Sequence, residues 1–390
     1  MTATAIPAVV ALRPPVAARR LLTAYFAGMG ALMAVWGARM PAVQAVAHLS
    51  TGQLSIVLLA AAVGMVAGLQ AGGIWAHRHG PARLLTAPAV GLALVLVLLG
   101  QGRTLPELAT LALLFGLVHG VLDVGANAAA VRCQDRYRRP IMSSLHCGYS
   151  AGALCGAALA ALTAHLAHSV VFAVFGITAA LAALVAAPAT RNIADLGTET
   201  HQSHASTQPP ATKHPRSLLW LLGGLAASSL LGEGAAADWA AVHVHDLGGQ
   251  ASIAAAAFAA YSAAMAAGRL IGDRLTSRYG PATVVRAGAL LAAIGFGSSL
   301  MLDSVTAAIA GWTALGLGLS VTVPCLITAA GTGGPRAVAA VAATGYLGLL
   351  AGPAVIGALA SWITLPAALA LPAVLTVGIA ATARRALESR

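Results

Sequence analysis

The chain has 390 residues, 59% of them hydrophobic and only 8% charged, with a mean hydropathy of +0.84. Soluble domains carry roughly 25% charged residues, so no water-soluble fold could cover its surface with this set. Composition therefore excludes a soluble enzyme or nucleic-acid-binding domain and places the chain in a lipid bilayer, where a net charge of +11 must be explained by where the charges sit.

Apolar runs of about 20 residues mark membrane-spanning helices, because the hydrocarbon core is about 30 Å thick. Twelve are read in chain order: 21–39, 53–75, 82–100, 106–131, 141–163, 168–187, 217–241, 252–272, 282–301, 305–330, 337–360 and 364–383. The runs are continuous and rich in Ala, Leu and Gly, which favours helices over an alternating β-barrel pattern. The expected fold class is an all-α membrane protein with twelve transmembrane helices in two six-helix bundles. Its parts are a tail (1–20), a first bundle (21–187), a linker (188–216), a second bundle (217–383) and a short tail (384–390). Arg13, Arg19 and Arg20 precede the first run with no small-residue cleavage site, which suits a retained first span.

With both termini cytoplasmic, all of the 22 Lys and Arg except Arg39 and Arg103 fall on the cytoplasmic side or at that end of a span. That bias accounts for the high net charge without any nucleic acid. The polar linker PATRNIADLGTETHQSHASTQPPATKHPR reads as flexible, and its His201, His204 and His214 match no metal spacing. Cys133, Cys147, Cys155 and Cys325 show no disulfide or zinc pattern, so neither metal nor cofactor is expected.

The two halves repeat. A shift of 200 residues lays Met65 on Met265, Gly68 on Gly268, Gly72 on Gly272, and Arg78, Gly80 and Pro81 on Arg278, Gly280 and Pro281; it also lays Gly116 on Gly316. Two repeats of the same orientation suit a parallel duplication. The loop GIWAHRHGPAR, with Gly73, Arg78 and Gly80, resembles the loop between spans 2 and 3 of the major facilitator superfamily, roughly G-x-x-x-D-R-x-G-R-R. His77 stands where that family usually has Asp, and Ser277 stands there in the second half, beside Asp273, Arg278 and Gly280. The resemblance implies a cytoplasmic latch between bundles, formed by these residues and Arg269. WGARMP, DVGANAAAVRCQDRYRRPIMSSLHCGYSAG and GEGAAADWAAVHVHDLGG resemble the YbjJ-like group of bacterial inner-membrane transporters, more distantly the fucose-permease-like symporters. That implies a multi-pass protein of the bacterial inner membrane.

Ionisable groups inside spans are expensive and ask for a role. Glu233 lies near the middle of span 7 and is the first candidate for proton coupling or substrate binding; the alternative is a structural, hydrogen-bonded carboxyl. His119, Asp123 and Asn127, four residues apart, share one face of span 4. They form either a titrating pair with a transport role or a polar clasp to span 5, with Asp123 meeting Ser143, Ser144 or His146. Tyr149 follows on the same run. The repeat mates of the stripe are Leu319, Val323 and Ile327, so the fold does not require it. Arg39 and Asp238, near the outer ends of spans 1 and 7, could pair as an outer gate, or Arg39 could reach the headgroups and Asp238 serve a loop. Arg269 and Asp273, four apart, could pair within the latch.

There is no Walker loop, nucleophile elbow or zinc helix, so neither ATP drive nor enzymatic activity is expected. The expected function is secondary transport of a small organic solute by alternating access, coupled to protons, by a monomer in the bilayer. The rivals are a proton-antiport exporter of a drug or self-made metabolite, which GLLAGPAVIG in span 11 hints at, and a non-transporting sensor or scaffold.

Overall fold

The computed structural model describes residues 16–203 and 215–388 and is helical throughout its spans. In order the helices are α1 (Val16–Ala38), α2 (Met40–Val46), α3 (Thr51–His79), α4 (Thr86–Leu99), α5 (Leu105–Tyr137), α6 (Met142–Leu162), α7 (His168–Ser203), α8 (Arg216–Asp246), α9 (Ala251–Tyr279), α10 (Pro281–Ser299), α11 (Val305–Leu319), α12 (Thr322–Gly331), α13 (Pro335–Ala360), α14 (Leu365–Ala368) and α15 (Ala370–Leu387). Among the described residues, 11 segments are long and apolar enough to cross a membrane. The 29-residue α9 stands at the remaining expected span and completes twelve. Leu154, Leu162, Val185 and Trp220 are exposed on the outside, as a lipid-facing surface requires.

Local chemistry sets the ends of the spans. Ser50 and Gln53 form a reciprocal capping box at the start of α3, and Thr104 and Glu107 do so at α5. Gly80 and Gly280 end α3 and α9 with φ of 85° and 80°, and a proline follows each. Only glycine adopts that backbone without strain, so the repeat read in the sequence reappears as the same turn.

Three spans are less regular than the apolar runs suggest. Span 1 breaks at Arg39 and continues as α2, with Pro41 near its start. Span 3 opens with a 3-10 turn, Pro81–Leu84. Span 10 breaks between α11 and α12: the Ser320 hydroxyl donates to the Leu317 carbonyl at 2.6 Å, and Pro324 has no N–H to return to Ser320. The expected linker also begins later than 188. Although Pro188 lies inside it, α7 runs on to Ser203. Thr190 holds the next turn, its hydroxyl 3.0 Å from Ala186 O and 3.0 Å from Tyr25 Oη of α1. His204 and His214 lie outside the described residues.

Close packing inside each half uses glycine. A Cβ at Gly116 of α5 would overlap the Ala61 carbonyl of α3, and one at Gly316 of α11 would overlap the Tyr261 carbonyl of α9. The two contacts are related by the same shift of 200 residues. Small residues of this kind let helices approach to backbone contact in lipid.

The halves, α1–α7 and α8–α15, meet at the end that carries the basic loops. There a Cβ at Gly73 of α3 would overlap Ala339 of α13, Gly272 of α9 faces Ser143 of α6, and Gly331 of α12 faces Val131 of α5. Gln134 Nε2 of α5 reaches Thr328 Oγ1 of α12 at 3.5 Å.

Candidate functional site

The site is built where five helices from both halves come together at mid-depth. Arg269 of α9 is its centre. Its Nη2 lies 3.6 Å from Glu233 Oε2 of α8, and its Nη1 donates to Ser150 Oγ of α6 at 2.6 Å. The Ser150 hydroxyl donates in turn to the His146 carbonyl at 3.3 Å. His146 Nε2 is 3.2 Å from Asn127 Oδ1 of α5, while Asn127 Nδ2 donates to the Asp123 carbonyl at 3.0 Å. Because Asn127 spends its amino group on Asp123, its oxygen is left to accept, so His146 carries its proton on Nε2. The Phe26 ring of α1 lies 5.2 Å from the imidazole.

Three tyrosines stand on the helices around this point: Tyr149 on α6, Tyr261 on α9 and Tyr346 on α13. Tyr261 Oη is buried without a hydrogen-bond partner. His146, Tyr149, Glu233 and Tyr346 are part-exposed.

Glu233, His146 and Asn127 are thus linked through Arg269 and Ser150, with Asp123 contributing its backbone carbonyl. His119 does not join them. It is 3% exposed, with Nε2 unpartnered, and its ring lies 6.5 Å from Phe115, which packs in turn at a tilt against Trp36. The expected His119–Asp123 pair is not formed, because this turn of α5 is buried among aromatic neighbours inside the first half. The clasp between spans 4 and 5 exists, but Asn127 and His146 make it, not Asp123.

The expected Arg269–Asp273 pair is likewise replaced. Arg269 turns to Glu233, and Asp273 crosses to the other half. There its Oδ1 accepts from Ser143 N at 2.9 Å and its Oδ2 from Ser144 N at 3.0 Å. Gln134 Oε1 accepts from Ile141 N at 2.9 Å and Met142 N at 3.2 Å. The first four amides of a helix lack intrahelical partners. Two borrowed side chains satisfy all four at α6, and a carboxylate also complements the helix dipole there. Asp273 therefore bridges the halves, and Gly73 packs on Ala339 across them. Arg78, Gly80, Arg278 and Gly280 lie at the same end, in the two repeated turns. A hollow of about 1030 Å³ lies beneath these contacts, lined in part by Ser143, Asp273, Thr276, Thr328 and Arg385; none of the central residues lines it.

At the opposite end Arg39 and Asp238 do not meet. Arg39 is buried and donates to the carbonyls of Thr163 and, at 3.2 Å, Ala164, where α6 stops. Asp238 is exposed. The guanidinium thus supplies charged donors to carbonyls where the chain turns out of α6.

Sequence reasoning missed Ser150, Tyr346 and Tyr261. Ser150 is one helical turn after His146, and the shift of 200 lays Tyr346 on His146, so spacing alone carried a signal for both. Tyr261, in an Ala-rich run, carried none.

The model of the Major Facilitator Superfamily matches residues 21–333. An uncharacterised transporter of Sinorhizobium fredii (strain NBRC 101917 / NGR234) is 31% identical over 358 residues, covering 89% of this chain and 94% of its own. An uncharacterised MFS-type transporter of Yersinia pestis is 33% identical over 368 residues, covering 93% and 94%. Among solved structures, the E. coli fucose:proton symporter superposes with a TM-score of 0.68 at 15% identity, over 96% of this chain and 99% of that one. The human organic anion transporter MFSD10 gives 0.74 at 16%, over 95% and 100%. At these identities the solved structures speak for the fold, and the family match and the two bacterial relatives for descent: the chain belongs to the Major Facilitator Superfamily of membrane transporters.

Proposed function

We propose that this protein carries a small organic solute across the bacterial inner membrane by alternating access, driven by proton movement. The basic end faces the cytoplasm with both termini, following the distribution of Lys and Arg. The contacts between the halves at that end then correspond to a state closed toward the cytoplasm. The chain works as a monomer, and its finer kinship is with the YbjJ-like group. Glu233 carries the coupling. The observation behind this is its loose 3.6 Å contact with Arg269. A carboxylate so placed can hold the guanidinium when ionised and release it when protonated, and in-membrane carboxylates recur as proton relays. Arg269 bonds Ser150 of the other half, so a proton on Glu233 changes a tie between the bundles. Asp123, with Asn127 and His146, is the second coupling candidate.

The test is transport in proteoliposomes with an imposed pH gradient. Glu233→Gln is expected to abolish gradient-driven accumulation while leaving solute exchange at equal pH within a few-fold of wild type. Unchanged accumulation in the variant would remove Glu233 from the coupling step. The direction of flux separates uptake from export of a drug or metabolite. A protein that binds a solute but moves none under any gradient is a sensor or scaffold.

A further inference from the structure

The hollow at the basic end belongs to neither half alone. Gln134, Met142 and Ser143 close it from the first half, and residues of α8, α9, α12 and α15 wall it from the second. At about 1030 Å³ it has the size of pockets that take small organic molecules. Because both halves wall it, it exists in this form only while they meet at this end.

Most of its polar side chains are already committed. Asp273 accepts from two amides of α6. Gln134 accepts from two more and donates to Thr328. The Thr328 and Thr382 hydroxyls donate to carbonyls of their own helices at 2.9 Å and 2.8 Å, and Thr276 Oγ1 lies 4.0 Å from Cys325 Sγ. Two lining groups remain. Arg385 of α15 and Ser217 of α8 make no side-chain hydrogen bond or ion pair with any described residue. Both are exposed, whereas Met142 and Ala386 of the same lining are buried. Asp273 is the one acid among the described lining residues, and the amides and dipole of α6 already answer its charge. The hollow therefore offers one unanswered guanidinium and one hydroxyl beside an apolar wall.

We propose that this hollow is a second ligand site, for a small monocarboxylate with an apolar body, and that filling it holds the halves together at the basic end. A guanidinium matches a carboxylate with two parallel hydrogen bonds. Ser217 can donate a third, and the apolar body lies against Leu218, Leu221 and Met142. A phosphate monoester would bring a second negative charge toward Asp273 with no lining cation to balance it. An amine or a neutral molecule leaves Arg385 unanswered. A ligand that binds one arrangement of the halves and not the other stabilises the one it binds, so the acid acts as a brake on opening at this end. Glu233 and Arg269 do not line the hollow, so the proposal requires no particular transported solute.

The test uses the purified full chain and probe triplets that differ in charge: indole-3-acetate, indole-3-acetamide and tryptamine, and 3-phenylpropanoate, 3-phenylpropanamide and 3-phenylpropylamine, each at millimolar concentration. Calorimetry should show at least one acid binding at least about tenfold more tightly than its amide. Arg385→Gln, at an exposed position, should remove that preference. Leu218→Trp, which fills the hollow and keeps the guanidinium, should abolish binding of the acid; the comparison with Arg385→Gln stands even if this variant fails to fold. Saturating acid should also slow modification of Cys147 by N-ethylmaleimide at least about fivefold in wild type and not in Arg385→Gln. Cys147 reports closure because its Sγ lies 3.8 Å from the Ala266 carbonyl of the other half, and peptide mass spectrometry reads it apart from the other cysteines. Preference for the amides or amines, no binding of either acid, or an acid bound equally by Arg385→Gln overturns the site. An unchanged Cys147 rate under saturating acid overturns the hold on the halves.

Discussion

Arg39 shows how one side chain can satisfy a requirement made elsewhere in the fold. Its fork closes the last carbonyls of α6, so it supports a helix end and does not face Asp238. Transport losses from Arg39→Ala and Asp238→Ala are therefore expected to add in a double-mutant cycle; a coupling above about 0.5 kcal/mol would show that the two do pair during the cycle. Asn127 is the corresponding single support at the centre. Asn127→Ala leaves the His146 Nε2 proton without its acceptor and should cost about 1–3 kcal/mol, read as a lower melting temperature in detergent. At this scale the sequence reveals which residues matter but not whom they meet. Polar groups in an apolar run stand out because burial is expensive, which exposed Glu233, Asp123, Asn127 and His146. Their partners depend on how each helix is rotated about its axis, and a spacing of four residues is silent on that. So Arg269 and Asp273 look like a pair in the chain, yet Arg269 meets Glu233 and Ser150 while Asp273 caps the start of α6.

At the scale of helices, the duplication was legible and the packing it encodes follows from it. Gly116 and Gly316 make the same backbone contact in each half. Gly116→Ala should prevent α3 and α5 from closing and should lower the yield of folded, monodisperse protein sharply. Gly28→Ala is its control: nothing lies within 4 Å of a Cβ there, and alanine suits a helix better than glycine by about 0.5–1 kcal/mol. Equal behaviour of the two variants would count against the close approach. What the apolar runs concealed are the breaks. Hydropathy reports burial in lipid and is insensitive to a serine that diverts a carbonyl or to one missing N–H, so span 10 reads as continuous although it is two helices. The extension of α7 past Pro188 was hidden for the converse reason, since polar composition resembles a linker while Thr190 ties the helix to α1.

For the whole molecule, the twelve-span duplicated fold could be read from the chain, but the closed end could not, because it is made of contacts between residues some 130 positions apart, such as Ser143 with Asp273. The clasp is also one-sided. The repeat mate of Asp273 is Gly73, which meets α13 by packing alone. Asp273→Asn keeps the shape, removes the charge and leaves one of the two amides facing an NH2 donor in place of its acceptor. It should shift the resting population toward opening at the basic end. Cys147 reports this, since its Sγ lies against the Ala266 carbonyl of the other half at 3.8 Å. With the other three cysteines replaced by serine, a membrane-impermeant maleimide added from the basic side should label Cys147 about tenfold faster in the variant. An unchanged rate would show that the clasp does not govern closure.

The break at Ser320–Val321 gives the two halves different mechanics. In the first half, the counterpart of span 10 is the unbroken, 33-residue α5. In the second, α11 packs within its own half, while α12 lies against α5 through Gly331 and Val131 and through Thr328 and Gln134. A lever with a joint can stay attached to its neighbour while its upper arm swings. Span 10 is jointed where its repeat mate α5 is continuous, so bending along this span is open to one bundle and not to the other, although both descend from one sequence.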